Sequence, residues 1–116
     1  MAELDKSNDR YGTGIQLFNT GEFFEAHEVL EDVWREAPAS EKQFLQGLIQ
    51  VAVALHHHSK GNLVGARSLL ERAARNLALY PGSFGGVNIA GLLCELSEWR
   101  QYLKDGASQV PPLPKI

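Results

Sequence analysis

The chain predicts an all-α fold, a compact bundle of about five helices built from helical hairpins, and three observations carry that expectation. Apolar residues recur at i, i+3, i+4 and i+7 along most of the 116 residues. The breaks between these runs hold helix-stop and helix-start residues, at Asn19-Thr20-Gly21, Pro38, Gly61-Asn62 and Tyr80 to Gly86. No β-alternating segment of useful length appears. The expected organisation is a disordered tail over 1–8, one helical-bundle domain over 9–104, and an extended proline-rich tail over 105–116.

A short first helix is expected from about Asp9, carried by Ile15, Leu17 and Phe18 and weakened by Gly12 and Gly14. Thr20 is then the expected N-cap of a second helix, with Glu22 and Glu25 in a first turn where the helix dipole favours negative charge. At about 100° per residue, Ala26, Leu30, Val33 and Ala37 share one side with Phe23 beside them, and Pro38 stops the helix. A third helix, about 40–60 with Ser40 as cap, is apolar almost all the way round through Phe44, Leu45, Leu48, Ile49, Val51 and Leu55. Such a helix belongs in the middle of a bundle. The fourth, about 63–79, turns Ala66, Leu69, Leu70, Ala73 and Leu77 inward. After a loop rich in Gly and Pro, the fifth is expected over about 87–103, with Ile89, Leu92, Leu96, Trp99 and Leu103 at helical spacing and Trp99 and Tyr102 as packing residues. The last segment, containing VPPLPKI, is expected to extend and either lie across the bundle or bind a partner.

Size and charge exclude several classes. The length allows one core and not two. A net charge of −3 with scattered, outnumbered basic residues gives no electrostatic footprint for nucleic acid. The longest apolar run is interrupted by Gln50 and ends at His56, too short for a membrane span. The polar start MAELDKSNDR predicts no signal peptide, so the expected location is cytoplasmic. Cys94, the lone cysteine, has neither a disulfide partner nor zinc-ligand spacing and is expected to be a small buried apolar residue. Either a monomer or a homodimer fits.

Two polar rows stand out against the apolar background. His27, Glu31 and Trp34 follow at i, i+4 and i+7 along one edge of the second helix, with Glu28 nearest to them. On the third helix Gln43, Gln46, Gln50 and His57 fall within about 60° of one another, while His56 and His58 point elsewhere. If the two helices pack with these rows facing, the result is a polar cleft for a small ligand or a divalent metal ion, with Gln46 and Gln50 as ligand contacts and Trp34 as an apolar wall. An enzyme there would use Glu28 or Glu31 as general base and His27 or His57 as its acid or base partner. A metal would take His27, Glu31 and His57, with water in the open position. The alternative is a non-catalytic protein-interaction module whose polar cluster is a structural hydrogen-bond network.

The chain also repeats itself. Gly21-Glu22-Phe23-Phe24-Glu25-Ala26 superposes on Gly61-Asn62-Leu63-Val64-Gly65-Ala66, and Val29-Leu30-Glu31 on Leu69-Leu70-Glu71, an offset of 40 residues. Each copy resembles the turn and second helix of a tetratricopeptide repeat, although that family's period is about 34. A more specific resemblance rests on Phe18-Asn19-x-Gly21-x-Phe23-Phe24-Glu25-x-His27-Glu28-x-Leu30-Glu31-x-x-Trp34, on Phe44-x-Gln46-Gly47-Leu48-Ile49-Gln50, and on His57 with Gly61-Asn62-x-x-Gly65-Ala66. These motifs are similar to those of the bacterial and archaeal domain-of-unknown-function family 309, over about residues 14–104. The resemblance implies a small, single-domain cytosolic helical bundle and supplies no reaction. Its signature includes His27, Glu28, Glu31, Gln46, Gln50 and His57.

Overall fold

Two corners of nearly identical backbone organise the chain. In the computed structural model, which describes residues 4–106 and 109–116, Gly21 and Gly61 adopt φ of 84° and 83°. At the first corner the N–H of Gly21 donates to Phe18 O and that of Glu22 to Leu17 O; at the second, Gly61 donates to His58 O and Asn62 to His57 O. Both are Schellman closures, whose left-handed position favours glycine. The repeat seen in the sequence is therefore a repeat of helix end, turn and helix start.

Five helices result: α1 (Asp9–Asn19), α2 (Phe23–Glu36), α3 (Ala39–Ser59), α4 (Leu63–Leu77) and α5 (Ile89–Asp105). Each packs on the next, most extensively α3 on α4 and then α2 on α3. The all-α bundle matches the expectation, and α3 is its buried centre, with Phe44, Leu45, Leu48, Val51, Ala52 and Ala54 wholly inaccessible. Fully burying each large side chain contributes about 1.5–3 kcal/mol.

The expected caps differ. Thr20 belongs to the end of α1, where its hydroxyl donates to Leu17 O and to Glu22 Oε2. Glu22 is the N-cap of α2 and Pro38 that of α3, neither with a side-chain cap bond. The side-chain caps belong instead to Asn62 and Asn88, whose Oδ1 atoms accept from the N–H of Gly65 and Gly91 at 3.0 Å. Cys94 is also a correction, being exposed. It lies about 200° from both Leu92 and Leu96, which face the core.

Both ends of the bundle are tied by non-helical chain. Within the expected loop, β1 (Ser83–Phe84) and β2 (Val87–Asn88) pair antiparallel around Gly85-Gly86. Phe84 stacks edge-on against Phe44 near the start of α3, and the Tyr11 hydroxyl near the start of α1 donates to Gly85 O at 2.6 Å. Helices α1, α3 and α5 thus all begin beside this hairpin. At their far ends His58 packs against Trp99 and Tyr102 of α5. There the last residues return to α1, where Ile116 N–H donates to Asn19 Oδ1 at 2.6 Å. Leu4, expected in the tail, is buried in the core, while residues 1–3 and 107–108 of the expected tails lie outside the described residues.

Burial raises the Tyr11 pKa well above the ordinary tyrosine range, and the Glu41 and Asp5 carboxylates add to the shift. A pKa raised in the folded state gives stability that is complete below the unfolded value near 10 and is lost as pH rises beyond it. Tyr11→Phe is expected to cost about 1 kcal/mol at neutral pH and to flatten the alkaline loss of stability above about pH 10. Urea unfolding across pH 7 to about 11 measures both effects. A second prediction concerns close approach: a methyl on Gly47 would lie 2.7 Å from Leu77 Cγ and 2.8 Å from its Cδ2. Leu77 is fully buried, so its side chain can yield only by pushing into the packed core. Gly47→Ala should therefore lower stability by about 1–3 kcal/mol although alanine is the better helix former, and thermal melting checks the sign.

Candidate functional site

The polar edge of α2 is spent on short-range partners. His27 is half-buried; its Nδ1 lies 2.6 Å from the Phe24 carbonyl and its ring packs edge-on to Phe24, which in turn lies 5.3 Å from the His56 ring. Glu31 pairs with Arg35 at 3.6 Å, while Asp32 binds both Arg10 and Arg35. Glu28 is exposed. Trp34, the expected wall, carries the Lys42 ammonium 4.2 Å from its ring centroid. That ammonium also donates to the carbonyls of Trp34 and Arg35. Lys42 therefore closes the negative end of α2.

The α3 row faces the other way. Gln50, the buried polar member, accepts a 2.9 Å hydrogen bond from Asn76 Nδ2 on α4. His57 lies about 20° from Gln50 around α3, and its Nδ1 accepts at 3.5 Å from Asn62 Nδ2 in the α3–α4 turn. It is His56, about 100° round, that looks toward α2 through Phe24, and His58 that faces α5. Three consecutive histidines thus serve three neighbours. Gln43 is exposed and Gln46 half-buried.

The expected cleft between the second and third helices is therefore not assembled as drawn. Its two rows meet different partners because a helix covered on all sides presents its polar stripe to whichever neighbour occupies that side, and here that neighbour is α4. Among the described residues, no three His, Cys, Asp or Glu side chains are grouped to hold a metal ion, so His27, Glu31 and His57 do not form the anticipated ligand set. No buried side-chain N or O atom among them lacks a hydrogen-bond partner. An open groove of about 670 Å³ lies elsewhere, between the start of α1 and the end of α2, lined by Arg10, Tyr11, Asp32, Val33, Arg35 and Glu41. None of the anticipated site residues lines it.

Sequence reasoning passed over Trp99 and Asn19 as polar contacts. The buried indole of Trp99 donates from Nε1 to Pro112 O at 3.0 Å. Asn19 accepts from Ile116 four residues later. The proline-rich pattern VPPLPKI was the available signal, but nothing in it tells which helix ends receive it.

This arrangement defines an all-α helical-hairpin protein with its polar side chains distributed among helix contacts. The chain belongs to the family described as domain of unknown function (DUF309), whose model matches residues 11–69. That stretch runs from α1 into the first half of α4, narrower than the anticipated 14–104. Among curated relatives, the chain is 37% identical over 82 residues to an uncharacterized protein of Aquifex aeolicus (strain VF5), a match covering 70% of this chain and 25% of that protein. It is 41% identical over 64 residues to the uncharacterized protein YpuF of Bacillus subtilis (strain 168), covering 54% of this chain and 37% of YpuF. The matched part of this chain thus spans between a quarter and somewhat over a third of those relatives' length. Among the described residues, no helix is long and apolar enough to cross a membrane.

The Gln50–Asn76 contact gives the sharpest test of the polar row. Asn76→Ala strands a buried carbonyl oxygen and is expected to cost about 1–3 kcal/mol, whereas the double change Gln50→Leu with Asn76→Leu should recover most of that loss. Denaturant unfolding of the single and double variants reads the difference.

Proposed function

We propose that the chain is a non-catalytic protein-interaction module, a scaffold of stacked helical hairpins whose internal polar residues fix helix register. The observation that carries this reading is the pairing of Gln50 with Asn76 across α3 and α4. It engages the most buried polar side chain of the anticipated site in helix packing and turns its row away from α2. The engagement of His27 by Phe24, of Glu31 by Arg35 and of Trp34 by Lys42 supports the same reading. A buried, satisfied polar pair is useful without any ligand, because misaligned packing would leave both groups unpaired.

The competing reading is a small-ligand or divalent-metal site that uses His27, Glu31 and His57, with Glu28 or Glu31 as base. It requires α2 and α3 to rotate so that His57 replaces His56 opposite α2. Native mass spectrometry and elemental analysis of tag-free protein separate the two. The interaction module is expected to fly at its bare chain mass without stoichiometric transition metal. A metal or small molecule held one to one, and lost in His27→Ala or His57→Ala, would overturn the reading.

A further inference from the structure

The far end of the bundle, where α1, α3 and α5 finish, is already covered by an extended peptide, and that peptide is the chain's own. Residues 110–116 have no regular secondary structure. They run from α5 toward α1: Trp99 Nε1–H donates to Pro112 O at 3.0 Å and Ile116 N–H donates to Asn19 Oδ1 at 2.6 Å. Between these anchors Leu113 Cδ1 lies 3.9 Å from where a β-carbon of Gly21 would stand. Pro114 and Ile116 are buried, whereas Leu113 and Lys115 face solvent. The aromatic rings of His58, Trp99 and Tyr102 cluster with centroids 5.0–5.8 Å apart.

These features match the chemistry that recognises an extended proline-containing strand. Such a strand makes no internal hydrogen bonds and presents its carbonyls outward, and its stiffness lowers the entropy lost on docking. A fixed indole donor, held by the neighbouring His58 and Tyr102 rings, suits it. Both anchors here bond the main chain and not a side chain, so they would accept any segment of the same backbone shape. Selectivity falls to the two inward positions filled by Pro114 and Ile116.

Resting on the interaction-module reading, we propose that this surface is a binding site for an extended proline-containing peptide of a partner protein, of the pattern Pro-x-Pro-x-aliphatic. Residues 109–116 are its tethered resident ligand. The partner peptide binds by displacing them. A short tether supplies an effective concentration of about a millimolar, so a partner of moderate affinity engages only when the resident segment is weakened or outcompeted.

The test uses the full chain with Trp34→Phe, which leaves Trp99 as the sole tryptophan of the two present. In that background Pro114→Ser with Ile116→Ser weakens the resident segment, and the probe is a synthetic peptide of residues 109–116. The weakened tail should red-shift Trp99 emission and speed exchange of its indole hydrogen roughly tenfold, the equivalent of one lost hydrogen bond. The added peptide should reverse both changes saturably below about a millimolar. A peptide with glycine at the two proline positions corresponding to Pro112 and Pro114 should bind roughly tenfold more weakly. Asn19→Ala, which frees one anchor without touching a buried apolar residue, provides a second variant with the same expected exchange change if the first misfolds. Unaltered indole exchange in Asn19→Ala, no saturable reversal by the peptide, or equal binding of the glycine peptide would each sink the proposal. A failed titration with a bare chain mass removes only this site, whereas a stoichiometric metal removes the module reading and leaves the titration to be judged separately.

Discussion

The structure depends on covering α3. That helix offers apolar side chains in nearly every direction, and ten of its residues from Phe44 to Leu55 are buried. Water on any side would forfeit several kcal/mol of apolar burial. The rest of the chain answers that demand in order: α2 and α4 flank it, Phe84 covers Phe44 at its start, and α5 meets His58 at its end. Polar groups on such a helix are tolerated only where a neighbour supplies a partner. Gln50 finds Asn76, and the histidines lie at the half-exposed end.

This explains which parts of the fold were legible in the sequence. Periodicity gives angles within one helix, so α1 to α5, the central place of α3 and the common side of Gln50 and His57 could all be read. It gives no azimuth for the neighbours. A helix apolar all round is the least informative in that respect, because every side is an equally good docking face and the polar stripe alone does not say whether α2 or α4 lies against it. Chain order alone makes facing rows on α2 and α3 the natural expectation. The placement of Asn76, a polar residue of α4 outside the recognised motifs, decides otherwise.

Smaller departures have equally local causes. Ser83-Phe84-Gly85-Gly86-Val87-Asn88 carries a two-residue Gly-Gly hairpin signal between apolar residues, but two-residue strands are too short for alternation to register. Thr20 and Ser40 are good capping residues by composition, yet the left-handed Gly21 assigns Thr20 to the preceding helix end and leaves Glu22 to begin the next. Cys94 looked buried because cysteine usually is, whereas the flanking Leu92 and Leu96 already fixed the inward face of α5 on the other side.

The two non-helical clamps are physically unlike, and the difference bears on function. The hairpin clamp is built into the core: Tyr11 and Val87 are almost inaccessible, and the Tyr11–Gly85 hydrogen bond lies among aromatic rings. Opening it would expose aromatic area worth several kcal/mol. The clamp at the other end rests on two hydrogen bonds and two buried side chains at the terminus of a segment whose remaining apolar residues, Val110 and Leu113, are about half exposed. Its two hydrogen bonds join the tail to Trp99 and Asn19 and not one helix to the next. Under the proposed peptide exchange, this lighter closure is the one a partner would displace, because Val110 and Leu113 already stand about half exposed, whereas the hairpin would have to give up buried aromatic contacts.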